Sequence, residues 1–307
     1  MALSASMVKE LREKSGAGMM DCKKALIETD GKLEEAVDWL RKQGLSAVAK
    51  KSNRVAAEGL IGITIKDNSG AIIEINSETD FVARNELFQN FVKICSELVL
   101  SSKNDIDALQ NIPFPNSNRS VNEELINNIA TIGENMNIRR VEYLEVLNGV
   151  LISYVHNSVA EGLGRLGVLV ALETDVQNNN IKEIGKQIAM HIAATSPKSL
   201  NIEDLEPEVV ERERQVLIDQ AMSSGKPKEI AEKMVQGRMH KFFQEVVLNE
   251  QVSVIDGETK IKDLIKRTSL ELKTEIKIKG FKVLKLGEGV EIEESDFAAE
   301  VAATAGL

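Results

Sequence analysis

The sequence predicts an α+β chain that opens with a small helical bundle. Three observations carry this expectation. Apolar residues recur at helical spacing between glycine turns before residue 54, a strand-strand-helix pattern occurs twice after Ala57, and charged text near 207–247 reads as two paired helices.

In the bundle, Val8 and Leu11 share one helix, Met19 to Ile27 give a second, and Leu33, Ala36, Val37 and Leu40 a third. Ser15-Gly16-Ala17-Gly18 and Thr29-Asp30-Gly31 separate them, glycine supplying backbone freedom and Thr or Asp the capping oxygen. Up to Arg54 there are 11 Lys and Arg against 8 Asp and Glu, a balance of +3 in a chain whose total is -10. A mildly basic head therefore precedes an acidic body. Arg41, Lys42, Lys50, Lys51 and Arg54 lack interleaved aromatics, so they read as the solvated face of a linker helix and not as a nucleic-acid patch.

Beyond Ala57, Ile61 to Ile65 and Ala71 to Ile75 form two strand-like runs ahead of Glu78-Thr79-Asp80 and a helix. Val150 to Tyr154 and Val168 to Leu172 repeat the pattern ahead of Glu173-Thr174-Asp175 and another helix. Between the copies, Asn104 to Ser120 reads as a polar connecting loop, followed by a helix from Val121 to about Gly133. The pair of helices over 207–247 is interrupted at Ser223-Ser224-Gly225-Lys226-Pro227, a helix stop and restart that makes an antiparallel hairpin. A helix-like stretch after Lys260, the alternating run Glu275 to Val283, and a tail with Glu294-Ser295-Asp296-Phe297-Ala298-Ala299 complete the chain. The expected divisions are a bundle over 1–54, core subdomains over 55–140 and 141–285, the second including the hairpin, and a C-terminal module over 286–307.

Composition narrows the function. A chain of 307 residues with 43% hydrophobic and 28% charged residues is that of a globular protein, and 4% aromatics with net charge -10 argue against nucleic acids and anionic membranes as partners. Cys22 and Cys95 are isolated, outside any CxxC pattern, and read as buried reduced thiols. No run of about 20 apolar residues and no charged leader with an apolar core is evident, so the expected location is the cytoplasm.

Gly162-Leu163-Gly164-Arg165-Leu166-Gly167 satisfies G-x-G-x-x-G, but it opens a strand where a dinucleotide fingerprint opens a helix. His156, His191 and His240 stand apart from one another and from both cysteines, and His191 reads as a satisfied structural histidine. Nothing assembles a nucleophile, a base and an orienting group, so no enzyme, cofactor or metal is expected.

The most informative stretch is Ser77-Glu78-Thr79-Asp80-Phe81-Val82-Ala83-Arg84-Asn85, which puts a carboxylate and a large aromatic where a strand turns into a helix. One reading has Thr79 or Asp80 capping a helical turn while Phe81 plugs the core. The other turns Phe81 outward into a partner. The second copy follows Asp175 with Val176 and not an aromatic, which favours the outward reading.

Glu78-Thr79-Asp80-Phe81-Val82-Ala83-Arg84-Asn85, Gly16-Ala17-Gly18-Met19-Met20-Asp21-Cys22-Lys23-Lys24-Ala25-Leu26 and Ser224-Gly225-Lys226-Pro227-Lys228-Glu229-Ile230-Ala231-Glu232-Lys233-Met234-Val235 together resemble the translation elongation factor Ts family. The likeness continues through Ile132 to Arg140, Ile188 to Ala194 and Asp296 to Val301, and so spans essentially the whole chain. It implies a guanine-nucleotide exchange factor for elongation factor Tu, with a ubiquitin-associated-like bundle, two related core subdomains, a coiled-coil hairpin and a C-terminal helical module. It also implies that Thr79, Asp80, Phe81 and Val82 enter the GTPase near its magnesium and phosphate site, while Met19, Met20 and Lys23 grip the same GTPase domain. Ile132, Gly133 and His156 match the partner-facing core surface, and Phe297 and Val301 the C-terminal contact. The partner is expected in GDP-bound and nucleotide-free forms, with a homodimer or a 2:2 complex left open. The segment Asn157 to Gly164 is longer than the usual family pattern and 262–279 diverges from it. The rival reading is a non-catalytic protein-binding adaptor.

Overall fold

Apolar periodicity changes from helical to alternating after residue 57, and the backbone follows it. The computed structural model describes residues 4–15, 17, 19–223 and 228–291. Three helices, α1 (Ala5–Ser15), α2 (Met19–Glu28) and α3 (Leu33–Lys51), precede strands β1 (Glu58–Lys66) and β2 (Ser69–Ser77) and helices α4 (Glu86–Ser102), α5 (Ile106–Asn111) and α6 (Val121–Ile132). There follow β3 (Met136–Glu145), β4 (Gly149–His156), β5 (Leu163–Gly164), β6 (Leu166–Glu173), α7 (Asn179–Thr195), α8 (Pro207–Ser223), α9 (Lys228–Val246), α10 (Ile261–Leu272) and β7 (Lys277–Lys285). Helices and sheets are thus mixed in one chain, as an α+β class requires. The hairpin break at Ser224 to Pro227 and the residues from 292 onward, including Phe297 and Val301, lie outside the described residues.

The first three helices close over Leu11, Cys22, Ala25, Leu26 and Ala36. The basic residues at the bundle's exit are largely solvated, as expected, and some also make long-range contacts. Arg41 pairs with Glu123, Lys51 donates to the carbonyl of Ile129 at 3.3 Å, and Arg54 reaches Glu78 at 3.4 Å, so three of the five cations tie α3 to α6 and to the end of β2. Sequence spacing could not show this, because each acceptor lies far along the chain.

Two antiparallel sheets stack face to face, with strand orders β3-β2-β1-β5 and β4-β6-β7. Ile61, Ile63, Ile72, Leu169, Leu284 and Leu286 fill the space between them. On the outer face of the first sheet, Leu60, Ile73 and Ile75 pack against Phe88, Phe91 and Val92 of α4 and Leu125 and Ile129 of α6. Val168, Val170 and Leu172 of the second meet Ile184 and Ile188 of α7 and Leu264 of α10. Central strands β2 and β6 are therefore buried on both faces, and for that reason they read as near-continuous apolar runs.

The repeat is larger than strand, strand and helix, since each copy gains a third strand, β3 beside β2 and β7 beside β6. Both third strands shift register at the same place, opposite Glu74/Ile75 in one copy and Ala171/Leu172 in the other. Gly59, opposite Asn76, and Gly149, opposite Glu173, are also equivalent. Each has positive φ and sits where a Cβ would strike the neighbouring carbonyl, of Ile75 and Leu172 respectively. In this register Glu173-Thr174-Asp175 matches Asn76-Ser77-Glu78, so the apparent match to Glu78-Thr79-Asp80 is corrected by two residues.

The G-x-G-x-x-G segment crosses between sheets. Leu163 and Gly164 pair with Gly62 and Ile61 of β1, and from Leu166 the chain joins the other sheet. Gly167 lies where a Cβ would come within 2.7 Å of Ile63 and 2.8 Å of Ile61, which is a packing reason for glycine and has no relation to phosphate. The stretch Asn104 to Ser120 also departs from its reading as plain connective loop: it holds α5, and Phe114 is buried against Phe91 with ring centroids 5.7 Å apart.

Glu74 is wholly buried in the first copy, where its counterpart in the second is Ala171. The bulge sets both Arg139 and Arg140 against its carboxylate, and the backbone N–H of Gly287 donates a further bond at 2.8 Å. Removing the carboxylate leaves two half-buried guanidinium groups without their shared partner. Glu74→Ala is expected to cost about 3 kcal/mol or more in urea unfolding.

His191, buried on α7, accepts the Val254 N–H at Nδ1 (3.2 Å), which assigns the proton to Nε2, donated to Gln251 Oε1 at 2.9 Å. Burial holds its pKa below the ordinary value, the Gln251 bond opposing. The unfolded chain takes up this proton near pH 6.5 and the folded chain only at lower pH. Its contribution to stability is therefore present above about pH 6.5 and is lost as pH falls through the folded value. Thermal unfolding between pH 7 and 5 should show this decline in the wild type and a flatter one in His191→Gln.

Candidate functional site

Strand β2 ends at Ser77, whose buried hydroxyl donates to the Thr79 carbonyl at 3.0 Å and bends the chain out of the sheet. A single 3-10 turn, Val82–Arg84, follows, and α4 begins only after Asn85, whose side chain accepts from the N–H groups of Leu87 and Phe88. Neither Thr79 nor Asp80 caps the helix, which removes the reading of this stretch as a capped start with a core aromatic. Val82 is 4% exposed and is part of the core with Ala83, whereas Phe81 beside it is 75% exposed. The two neighbours have opposite roles: Val82 anchors and Phe81 projects.

The equivalent turn of the second copy has nothing to project. From Ser77 to the cap Asn85 is eight residues, and from Thr174 to the cap Asn178 is four. Both helices then run 17 residues. The first copy thus carries four extra residues between matching strand and helix, and the Thr79 to Val82 turn occupies that insertion.

A second loop grips this turn. Helix α6 ends at Gly133, in the left-handed region at φ 94°, and the chain then reverses so that Glu134 accepts from Thr79 N at 2.9 Å and Thr79 Oγ1 at 2.6 Å. In return Glu78 accepts from Asn135 N at 2.5 Å, and Asn135 Nδ2 donates to the carbonyl of Arg54 at 2.7 Å. Half-buried Ile132 and exposed Gly133 are thereby brought beside the Phe81 turn, although more than 50 residues separate Glu134 from Thr79.

Asp80 is exposed, and among the described residues its carboxylate makes no side-chain hydrogen bond or ion pair. Its charge acts on Arg165, which is hydrogen-bonded to Glu58 at 2.6 Å. The Arg165 pKa is raised first by that bond and least by Asp80. The turn therefore presents an aromatic and a carboxylate to solvent side by side, and Leu87 in the first turn of α4 is exposed as well.

Met19, Met20 and Lys23 are exposed on α2, the methionines at 56% and 75%, opposite buried Cys22, Ala25 and Leu26. Ile27, one turn beyond Lys23, is exposed as well. Ile27 and Leu87 are further exposed apolar residues that the sequence reading did not single out. The signal that could have found Ile27 is its i+4 spacing from Lys23. His156 ends β4, exposed, with Nδ1 3.0 Å from the Tyr154 hydroxyl. Among the described residues no group of three His, Cys, Asp or Glu is placed to hold a metal ion, and no helix is long and apolar enough to cross a membrane. Both cysteines are free and buried, and burial pushes the Cys95 thiol far above its ordinary pKa.

The sequence model of the family described as Elongation factor TS matches residues 78–288, from the base of the Phe81 turn to the residue that pairs with Arg140. Elongation factor Ts of Rhodospirillum centenum is 56% identical over 304 residues, covering 99% of each chain. That of Zymomonas mobilis is 52% identical over 99% of each, and that of Agrobacterium fabrum 51% identical over 99% of this chain and 98% of its own. With likeness at this level over nearly every residue, the chain belongs to the elongation factor Ts family of translation elongation factors.

Proposed function

We propose that this chain is a guanine-nucleotide exchange factor for elongation factor Tu, promoting GDP release during translation elongation by inserting Asp80 and Phe81 at the GTPase magnesium and phosphate site. The observation that carries this reading is Phe81, 75% exposed on a turn whose neighbour Val82 is buried. A large apolar side chain held in water is suited to burial in a partner. The carboxylate of Asp80 beside it is suited to competing with phosphate oxygens for a cation or a donor.

In this reading 1–54 forms a ubiquitin-associated-like bundle that docks on the GTPase through Met19, Met20 and Lys23. Ile132, Gly133 and His156 extend the contact over core subdomains 55–140 and 141–285. The coiled-coil hairpin of about 207–247 belongs to the second subdomain, and the module over 286–307 adds Phe297 and Val301. The complex forms in the cytoplasm with GDP-bound and nucleotide-free elongation factor Tu, with the factor as a homodimer or in a 2:2 assembly.

Such a protein makes and breaks no covalent bond. It acts by binding the nucleotide-free GTPase more tightly than the nucleotide-bound one, and linkage then requires nucleotide to expel the factor equally. Each tenfold of coupling corresponds to roughly 1.4 kcal/mol, and a buried aromatic anchor contributes about 2 kcal/mol or more. The remainder comes from displaced magnesium ligands and phosphate-loop contacts.

Release of labelled GDP from elongation factor Tu tests this. The wild type should accelerate release, and Phe81→Ala should reduce the acceleration about tenfold or more while changing folding stability by at most about 0.5 kcal/mol. A Phe81→Ala chain that exchanges normally per folded molecule overturns the role of Phe81, and a wild type that binds without accelerating release is an adaptor. Val82→Ala should behave differently, costing about 2 kcal/mol of stability through the cavity it leaves.

A further inference from the structure

We infer that Glu134 is a positioning residue for exchange, acting through Thr79 to hold Asp80 and Phe81 in the presented conformation. This rests on the exchange reading above and adds to it a residue that does not itself belong to the outward surface.

The turn is a four-residue insertion with no counterpart in the second copy, so the sheet and helix that flank it do not dictate its shape. Inside it the local bonds are few: Ser77 Oγ to the Thr79 carbonyl at its start and the Ala83 and Arg84 N–H groups to the carbonyls of Asp80 and Phe81 at its end. Only Val82 and Ala83 are held by burial. Left to these, the backbone between Glu78 and Phe81 would keep much of its freedom, and an exposed aromatic on it would lose that freedom on docking.

Glu134 supplies the missing constraint. One carboxylate oxygen accepts the Thr79 N–H at 2.9 Å and the other the Thr79 hydroxyl at 2.6 Å, fixing backbone and side chain of one residue from a loop outside the turn. The bond is crossed by Glu78 to Asn135 N at 2.5 Å, and Asn135 is in turn bonded to Arg54, where the chain leaves the bundle. Charge-assisted bonds of this kind are about twice as strong as neutral ones. The clasp therefore joins three parts of the chain at one point, the exit of α3, the end of β2 and the end of α6, immediately beneath Asp80 and Phe81.

The test compares Glu134→Ala and Glu134→Gln with wild type and Phe81→Ala in stimulated release of labelled GDP over a range of factor concentrations. Glu134→Gln keeps the side-chain shape and one acceptor oxygen but loses the charge and the second acceptor. The expected result is a maximal release rate about tenfold lower for Glu134→Ala and severalfold lower for Glu134→Gln. The half-saturating concentration should move much less, because docking through α2 is untouched. If Glu134→Ala does not fold, Glu134→Gln still decides the matter. Unchanged maximal rates, or a loss confined to the half-saturating concentration, would overturn the clasp while Phe81→Ala remains slow. If the wild type itself fails to accelerate release, the exchange reading falls first.

Discussion

Two-sided burial of β2 is the constraint on which the rest of the molecule depends. Ile73 and Ile75 face α4, Ile72 faces the opposing sheet, and wholly buried Glu74 meets Arg139 and Arg140 at a bulge. A slip of one residue would put the carboxylate against Phe88 and Phe91 and an isoleucine against two guanidinium groups. Each error costs several kcal/mol, so the register is held from both faces. Because the register is fixed, the strand ends at Ser77, and everything after it is placed relative to that end.

The duplication shows where the two copies part. Both copies share the strand pairing, the bulge, the positive-φ glycine and a capped helix of 17 residues, and they differ where β2 and β6 give way to α4 and α7. The second copy makes the connection in the shortest way. The first spends four more residues, buries two of its turn residues and leaves an aromatic in water. An exposed phenylalanine contributes nothing to folding, so its position is consistent with a use outside the folded chain. In the proposed function, a turn carried on the two-sheet scaffold would keep the partner-facing residues separate from the core that carries stability.

Much of the architecture was legible. The bundle, the two apolar strand pairs, the helix capped by Ser120 and Glu123 and ended by Gly133, and the helix pair after Pro207 all carry local signals, and local signals are what periodicity and capping rules read. The third strands β3 and β7 were not assigned to the repeat, since pairing partners distant in sequence leave no periodic trace. The Glu-Thr-Asp echo misled for a related reason. Identical letters two positions out of register look like a repeat, and only the pairing of Gly59 with Asn76 and Gly149 with Glu173 shows that they are not equivalent. The contacts of Arg41, Lys51 and Arg54 left no trace in the spacing, because their acceptors lie elsewhere in the chain.

By itself the sequence determined the α+β class, the order of elements, the singling out of Asp80 and Phe81, and the likeness to a translation factor family. These follow from spacing, composition and ordered motifs, which belong to the chain before it folds. The tertiary structure decided that Phe81 points to water while Val82 points inward, that Glu134 reaches Thr79, and that Leu87 and Ile27 are surface. Direction and long-range contact depend on which face of each element finds another to cover it, and in this protein the second sheet and α6 do that covering.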